Sequence, residues 1–126
     1  MATVTNIQGL EIYFDPAVVC AVANHDETGN PVTTVYGILT VPVMTAEAVA
    51  AFLARLGIAA EFAELTRPNG SKVMLRATSV GMMRGVVAGE YPPVVKSVAV
   101  AGGLTQALVE DPATAAAALR THGSKI

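Results

Sequence analysis

The sequence predicts an α+β protein made of two tandem pseudo-symmetric units, residues 1–58 and 59–126. Each unit is expected to hold four to five antiparallel strands followed by one helix, the two sharing a core as one compact domain. Three observations lead there: an internal repeat, short alternating apolar runs punctuated by Gly and Asn, and a helical apolar pattern closing each half.

The repeat is the most informative of the three. Setting Val4-Thr5 on Leu65-Thr66 also sets Gly9 on Gly70, Ile12 on Val73, Phe14 on Leu75, Val19 on Val80 and Val22 on Met83. After a short net insertion in the second half, Gly37-Ile38 meets Gly103-Leu104, Val43 meets Val109, Leu53 meets Leu119 and Gly57 meets Gly123.

Each half then reads in the same order. A first strand enters a turn, Ile7-Gln8-Gly9 or Pro68-Asn69-Gly70. Asn-Gly is a hairpin signal because both residues tolerate positive φ. The return strand alternates, with Ile12 and Phe14, or Val73 and Leu75, on one face. A third strand is expected over Ala17–Ala23 and Thr78–Val87, followed by polar loops at Asn24–Asn30 and Ala88–Pro93. Fourth and fifth strands are expected over Val32–Tyr36 and Ile38–Val43, then Val94–Ala101 and Leu104–Val109, pivoting at Gly37 and Gly102-Gly103. Thr45 and Asp111 suit helix N-caps, and Pro112 suits a first helical position. In the first helix Val49, Phe52, Leu53 and Leu56 share a face. The second presents Ala115, Ala118 and Leu119, and Gly57 and Gly123 are natural stops. A single unit of roughly 60 residues buries too little surface to be comfortably stable, which favours a shared core.

Composition points toward assembly. Of 126 residues 52% are apolar and only 14% charged, against roughly 25% in an ordinary soluble domain. So little polar material suggests apolar surface covered by another chain. The longest uncharged run, Thr28–Ala46, is broken by Pro31, Gly37 and Pro42, which argues against a membrane span. With no basic residue ahead of an apolar stretch, a cytoplasmic protein is expected. Cys20 is the only cysteine and sits among apolar residues, so a buried structural thiol is expected. Charge is uneven: Glu11, Asp15, Asp26, Glu27 and Glu47 face only Arg55 in residues 1–60, whereas bases exceed acids in residues 61–126. Halves of opposite sign can attract within or between chains.

The run Leu65-Thr66-Arg67-Pro68-Asn69-Gly70, followed by Val73 and Leu75, resembles the opening of the small bacterial FlbD-type proteins found among flagellar genes. The first half is similar to the next part of that pattern at Phe14-Asp15-Pro16, with Val19 three residues on. Together the halves look like tandem, diverged copies of that module. Arg76-Ala77 stands where the family has Asn-Pro, and the first hairpin lacks the Arg and Asn. The resemblance implies the fold outline and a non-catalytic accessory role. The tandem strand-and-helix plan is also similar to that of the Pur-alpha and Whirly classes, which bind single-stranded nucleic acid.

Chemistry-bearing constellations are sparse. His25 lies in a polar loop and His122 in the last helical turn, where the helix dipole favours it. Ser71, Ser79, Ser97 and Ser124 sit in no nucleophile elbow, and Gly102-Gly103 precedes a strand rather than a helix. The Asn24–Asn30 loop lacks the acidic spacing of a calcium loop. No catalytic residue, metal ligand or cofactor is therefore assigned. Arg67, Lys72, Arg76, Arg84 and Lys96 form a candidate basic face for nucleic acid or a partner. Against nucleic acid, aromatics are only 5% and Trp is absent. The expected function is a non-enzymatic, self-associating interaction or assembly module. The alternatives are a nucleic-acid-binding regulator and a virion or tail component.

Overall fold

A computed structural model describes residues 2–126. Among these residues ten strands form three antiparallel sheets, joined by two helices and three 3₁₀ turns, an α+β architecture. The first half runs β1 (Ala2–Thr5), β2 (Glu11–Phe14), a 3₁₀ turn (Pro16–Val18), β3 (Ala21–Ala23), β4 (Thr33–Tyr36), β5 (Val43–Thr45) and α1 (Val49–Leu56). After a 3₁₀ turn at Ala59–Glu61, the second runs β6 (Phe62–Thr66), β7 (Lys72–Arg76), a 3₁₀ turn (Ala77–Ser79), β8 (Val80–Gly85), β9 (Ser97–Ala101), β10 (Leu104–Leu108) and α2 (Pro112–Thr121).

The two hairpins agree rung for rung. Val4 pairs with Ile12 and Thr5 with Glu11, as Leu65 pairs with Val73 and Thr66 with Lys72. Their loops are alike as well: the Asn6 and Arg67 N–H groups donate to Leu10 O and Ser71 O, and Gly9 and Gly70 donate back to Asn6 O and Arg67 O. These are three-residue loops closed by a left-handed glycine, φ 88° at Gly9 and 87° at Gly70. Asn69 itself has negative φ, contrary to the expectation for an Asn-Gly pair. Its side-chain oxygen instead accepts from Ser71 N–H and Oγ, tying the loop to the return strand.

Pairing beyond the hairpins joins the halves. The five-stranded sheet has the order β5-β4-β3-β7-β6, so the third strand of the first half lies beside the second strand of the second. Ala21 pairs with Leu75, Val22 with Met74 and Ala23 with Val73. The hairpin β1-β2 stands apart as a two-stranded sheet, and β10-β9-β8 forms a third.

Alternation along the central sheet divides the core in two. Val22 and Val35 enter a cluster with Val4, Phe14, Phe52 and Leu53, beneath the first hairpin and α1. Ala21, Ala23 and Tyr36 enter the other, with Leu65, Leu75, Leu108 and Leu119, beneath the β8–β10 sheet and α2. Each cluster borrows across the join: Phe62 and Met74 from the second half pack in the first cluster, and Cys20 from the first half packs in the second.

Several element boundaries differ from expectation. The third strands are shorter, because 3₁₀ turns occupy Pro16–Val18 and Ala77–Ser79. Asp15 accepts from Ala17 N–H and Pro16 follows it, so the first of these turns is capped like a helix start. The fifth strand of the first half begins only at Val43, since Gly37 (φ 112°) and Pro42 bracket an irregular bend. An added Cβ at Gly37 would overlap the Val18 carbonyl oxygen, so the β4 exit runs against the 3₁₀ turn. Thr45 ends β5 rather than capping α1, whose N-cap is Ala48 without a side-chain bond. Asp111 does cap α2, accepting from Thr114 N–H at 2.8 Å.

Candidate interaction surface

The five basic residues marked by the sequence do not form one face. Arg67 is 7% exposed and points inward. Its Nε donates to Gln106 Oε1 at 3.0 Å, Nη1 to His25 O at 3.1 Å and Nη2 to Tyr36 Oη at 2.9 Å. The guanidinium also lies 5.7 Å from the centroid of the Tyr36 ring. Arg76 is 5% exposed, and its Nη1 donates to the Pro16 and Val19 carbonyls at 2.8 and 2.9 Å. It meets Glu61 at 3.4 Å and stacks over Phe62 at 5.3 Å. Both arginines therefore span the join between halves, where a single planar fork can satisfy several carbonyls at once.

The other three are outward. Lys72 is exposed, its Nζ donating to Thr66 Oγ1 and its backbone N–H to Asn24 Oδ1. Arg84 makes a bidentate pair with Glu90 at 2.8 and 2.7 Å, which holds the Glu90 carboxyl below its ordinary value. Lys96 is exposed just ahead of β9.

A groove opens over the Arg67 side of the join. One cleft of about 380 Å³ is lined by Cys20, Tyr36, Leu39 and Leu104, and a second of about 370 Å³ by Asp26, Arg67, Thr105 and Gln106. Tyr36, Glu27 and Leu104 border both. Burial pushes the Cys20 thiol up from its ordinary value, and Sγ contacts Tyr36 O at 3.5 Å, so it is a poor nucleophile. Asp26 accepts from Thr28 and Asn30 within its own loop, bonds that lower its pKa and spend the carboxylate locally. Among the described residues no group of three His, Cys, Asp or Glu could hold a metal ion. Also among them, no helix is long and apolar enough to cross a membrane.

Exposed apolar side chains form the more distinctive surface. Leu10 (61% exposed) and Tyr13 (64%) project from the first hairpin, with Ile7 at its tip. Met82, Val87 and Val94 project from β8 and the loop that follows it, and Leu39 and Val41 from the bend before β5. The first two groups adjoin strands that end a sheet: among the described residues β2 is paired only with β1, and β8 only with β9. Tyr13 could have been found from parity, since it alternates with the inward Ile12 and Phe14. Comparison of the chain with family models, with curated proteins and with solved structures gives no match.

Proposed function

We propose that this chain is a non-enzymatic assembly module, two diverged copies of one hairpin–strand–helix unit fused in tandem, which associates with itself through exposed apolar surface. The observation that carries this reading is the concentration of large exposed apolar residues, Tyr13, Leu10, Met82, Val87 and Val94, beside unpaired sheet edges. Edges of that kind are templates for another chain unless charge, Pro or a covering element blocks them. Matching hairpin registers, matching loop hydrogen bonds and the repeated element order support the tandem reading, with residues 1–58 and 59–126 as the two copies. They are equally consistent with the FlbD-type resemblance.

Nucleic-acid binding is the weaker reading, because two of the five candidate bases are spent inside. Arg67 and Arg76 each bond to main-chain or side-chain oxygens of both halves or of the join itself. Arg84 is neutralised by Glu90, which leaves Lys72 and Lys96 as outward charges without an acidic partner in the described residues.

The test is the absolute solution mass, by light scattering on a sizing column at low and high salt. A defined oligomer at both salts is expected, since the large exposed side chains beside these edges are apolar. A single-chain mass at every concentration would refute self-association. Dissociation in salt would shift the weight to attraction between the acidic first half and the basic second.

A further inference from the structure

Resting on that reading, we propose that copies of this chain join head to tail by antiparallel pairing of β8 of one copy with β2 of the next. The register is the one that β3 and β7 already use inside the chain.

The internal join is the template. The third strand of the first half, β3, pairs with the second strand of the second half, β7, through Ala21–Leu75, Val22–Met74 and Ala23–Val73. The ladder continues past both ends, with Arg76 N–H donating to Cys20 O at 2.9 Å and Asn24 N–H to Lys72 O at 3.2 Å. The counterparts are the third strand of the second half, β8, and the second strand of the first, β2. Each has one unpaired edge. The equivalence of Ile12 with Val73, Phe14 with Leu75 and Val22 with Met83 places Met82 opposite Phe14, Met83 opposite Tyr13 and Arg84 opposite Ile12.

Burial tells the same story. Within the join Ala21, Val22, Ala23, Val73 and Leu75 are all fully buried. Their counterparts are less covered: Met82 is 41% exposed, Arg84 is exposed, Ile12 and Met83 are half-buried, and only Phe14 is buried. Met74 lies beside Val22, Val49 and Leu53, under the helix of the other half. Its counterpart Tyr13 is 64% exposed, its hydroxyl donating to Glu11 on the same strand. In the proposed join Tyr13 packs beside Met83 of the neighbour, and Glu11, on the same face as Tyr13, falls opposite the neighbour's Gly85. Neither β2 nor β8 carries a proline to block pairing.

A second copy is the occupant because the two edges cannot meet within one chain. β2 covers the core on one face of the central sheet, and β8 covers the core on the other. Different surfaces thus meet at the contact, which closes into a ring or continues as a filament.

Mixed disulfide trapping tests the register. In a Cys20→Ala background, one chain carries Tyr13→Cys and another Met83→Cys. Directly opposed antiparallel residues have Cα atoms about 5.5 Å apart, within disulfide reach. Oxidation of the mixture is expected to give a cross-linked dimer that neither chain gives alone, and a chain with both substitutions should give a ladder of multimers. Tyr13→Lys, alone and with Cys20 intact, is expected to reduce the solution mass to that of one chain with unchanged circular dichroism. If the native chain is an oligomer but no mixed disulfide forms and Tyr13→Lys leaves the mass unchanged, this join is wrong while self-association stands. If the native chain is a monomer and no mixed disulfide forms, both fail. A Tyr13→Cys chain that cross-links to itself as readily would indicate hairpin against hairpin, and would also overturn the join.

Discussion

At the scale of single residues, Arg67 and Arg76 carry the most weight. Each sits within the protein and directs donors at buried oxygens, Arg67 at Gln106 and Tyr36 and Arg76 at Val19, while the buried Arg76 Nε has no partner among the described residues. Removing the side chain strands those acceptors, and each stranded buried acceptor costs about 1–3 kcal/mol. Arg76→Ala leaves the buried Val19 carbonyl unserved and Pro16 O with the Val19 N–H as its donor, so a loss of about 2 kcal/mol is expected as a lower urea midpoint. Arg76→Lys is expected to recover only part of it, because one ammonium cannot reproduce the planar fork and its stacking on Phe62. Arg67→Ala should behave similarly by freeing Tyr36 Oη, Gln106 and His25 O. The sequence marks both arginines as basic and parity assigns each a face, but neither reveals that another strand will cover that face. Cys20, by contrast, was legible, since its apolar neighbours alone imply burial, and it is 6% exposed.

At the scale of elements, the helices show how far local chemistry reaches. Asp111 followed by Pro112 reads as a helix start and forms one, whereas Thr45 belongs to a strand because β5 pairs it with Thr33. Strand pairing overrode a local capping preference there. The cap on α2 predicts a pH dependence. Bonding from the Thr114 N–H holds the Asp111 carboxyl below its ordinary value, so the native state binds its proton less tightly than the unfolded chain does. The stabilisation is complete above the unfolded carboxylate pKa of about 4 and is lost as pH falls through the lower folded value. In Asp111→Asn the side-chain acceptor remains but the titration does not. Thermal melts between about pH 6 and pH 2 should therefore show a smaller fall in Tm for this variant than for the native chain. Hairpins were read correctly in place and in facing, because alternation and a closing glycine are local signals. The 3₁₀ turns ahead of β3 and β8 were not, since Ala17–Ala23 is as apolar as any strand and only the Asp15 cap marks the turn.

At the scale of the whole molecule, the two cores are built with borrowed parts. Cys20, Ala21, Ala23 and Tyr36 of the first half complete the second cluster, and Phe62 and Met74 of the second half complete the first. The hairpins that feed both clusters were legible in the sequence, where they raise the expectation of a repeat with a shared core. Which strand would cross, β3 beside β7, was not, because that choice is made by long-range pairing that leaves no local mark. Separate chains of residues 1–58 and 59–126 are expected to show little fixed structure alone and to recover the native circular dichroism when mixed at equal concentration. A stably folded isolated half would contradict the dependence of each cluster on the other.

On the proposed tandem reading, the pairing of β3 with β7 bears on ancestry. A gene encoding only one such unit would have lacked the residues that finish its interior, and could have obtained them only from a sister molecule. Duplication and fusion through the short segment from Gly57 to Glu61 would turn that encounter into a permanent neighbour, at an effective concentration on the order of millimolar. On that reading fusion would satisfy one partner for each pair of units and leave the outermost second and third strands as they were before it. On the same reading the open edges of β2 and β8 would be the parts of an older ring or filament that the fusion did not reach.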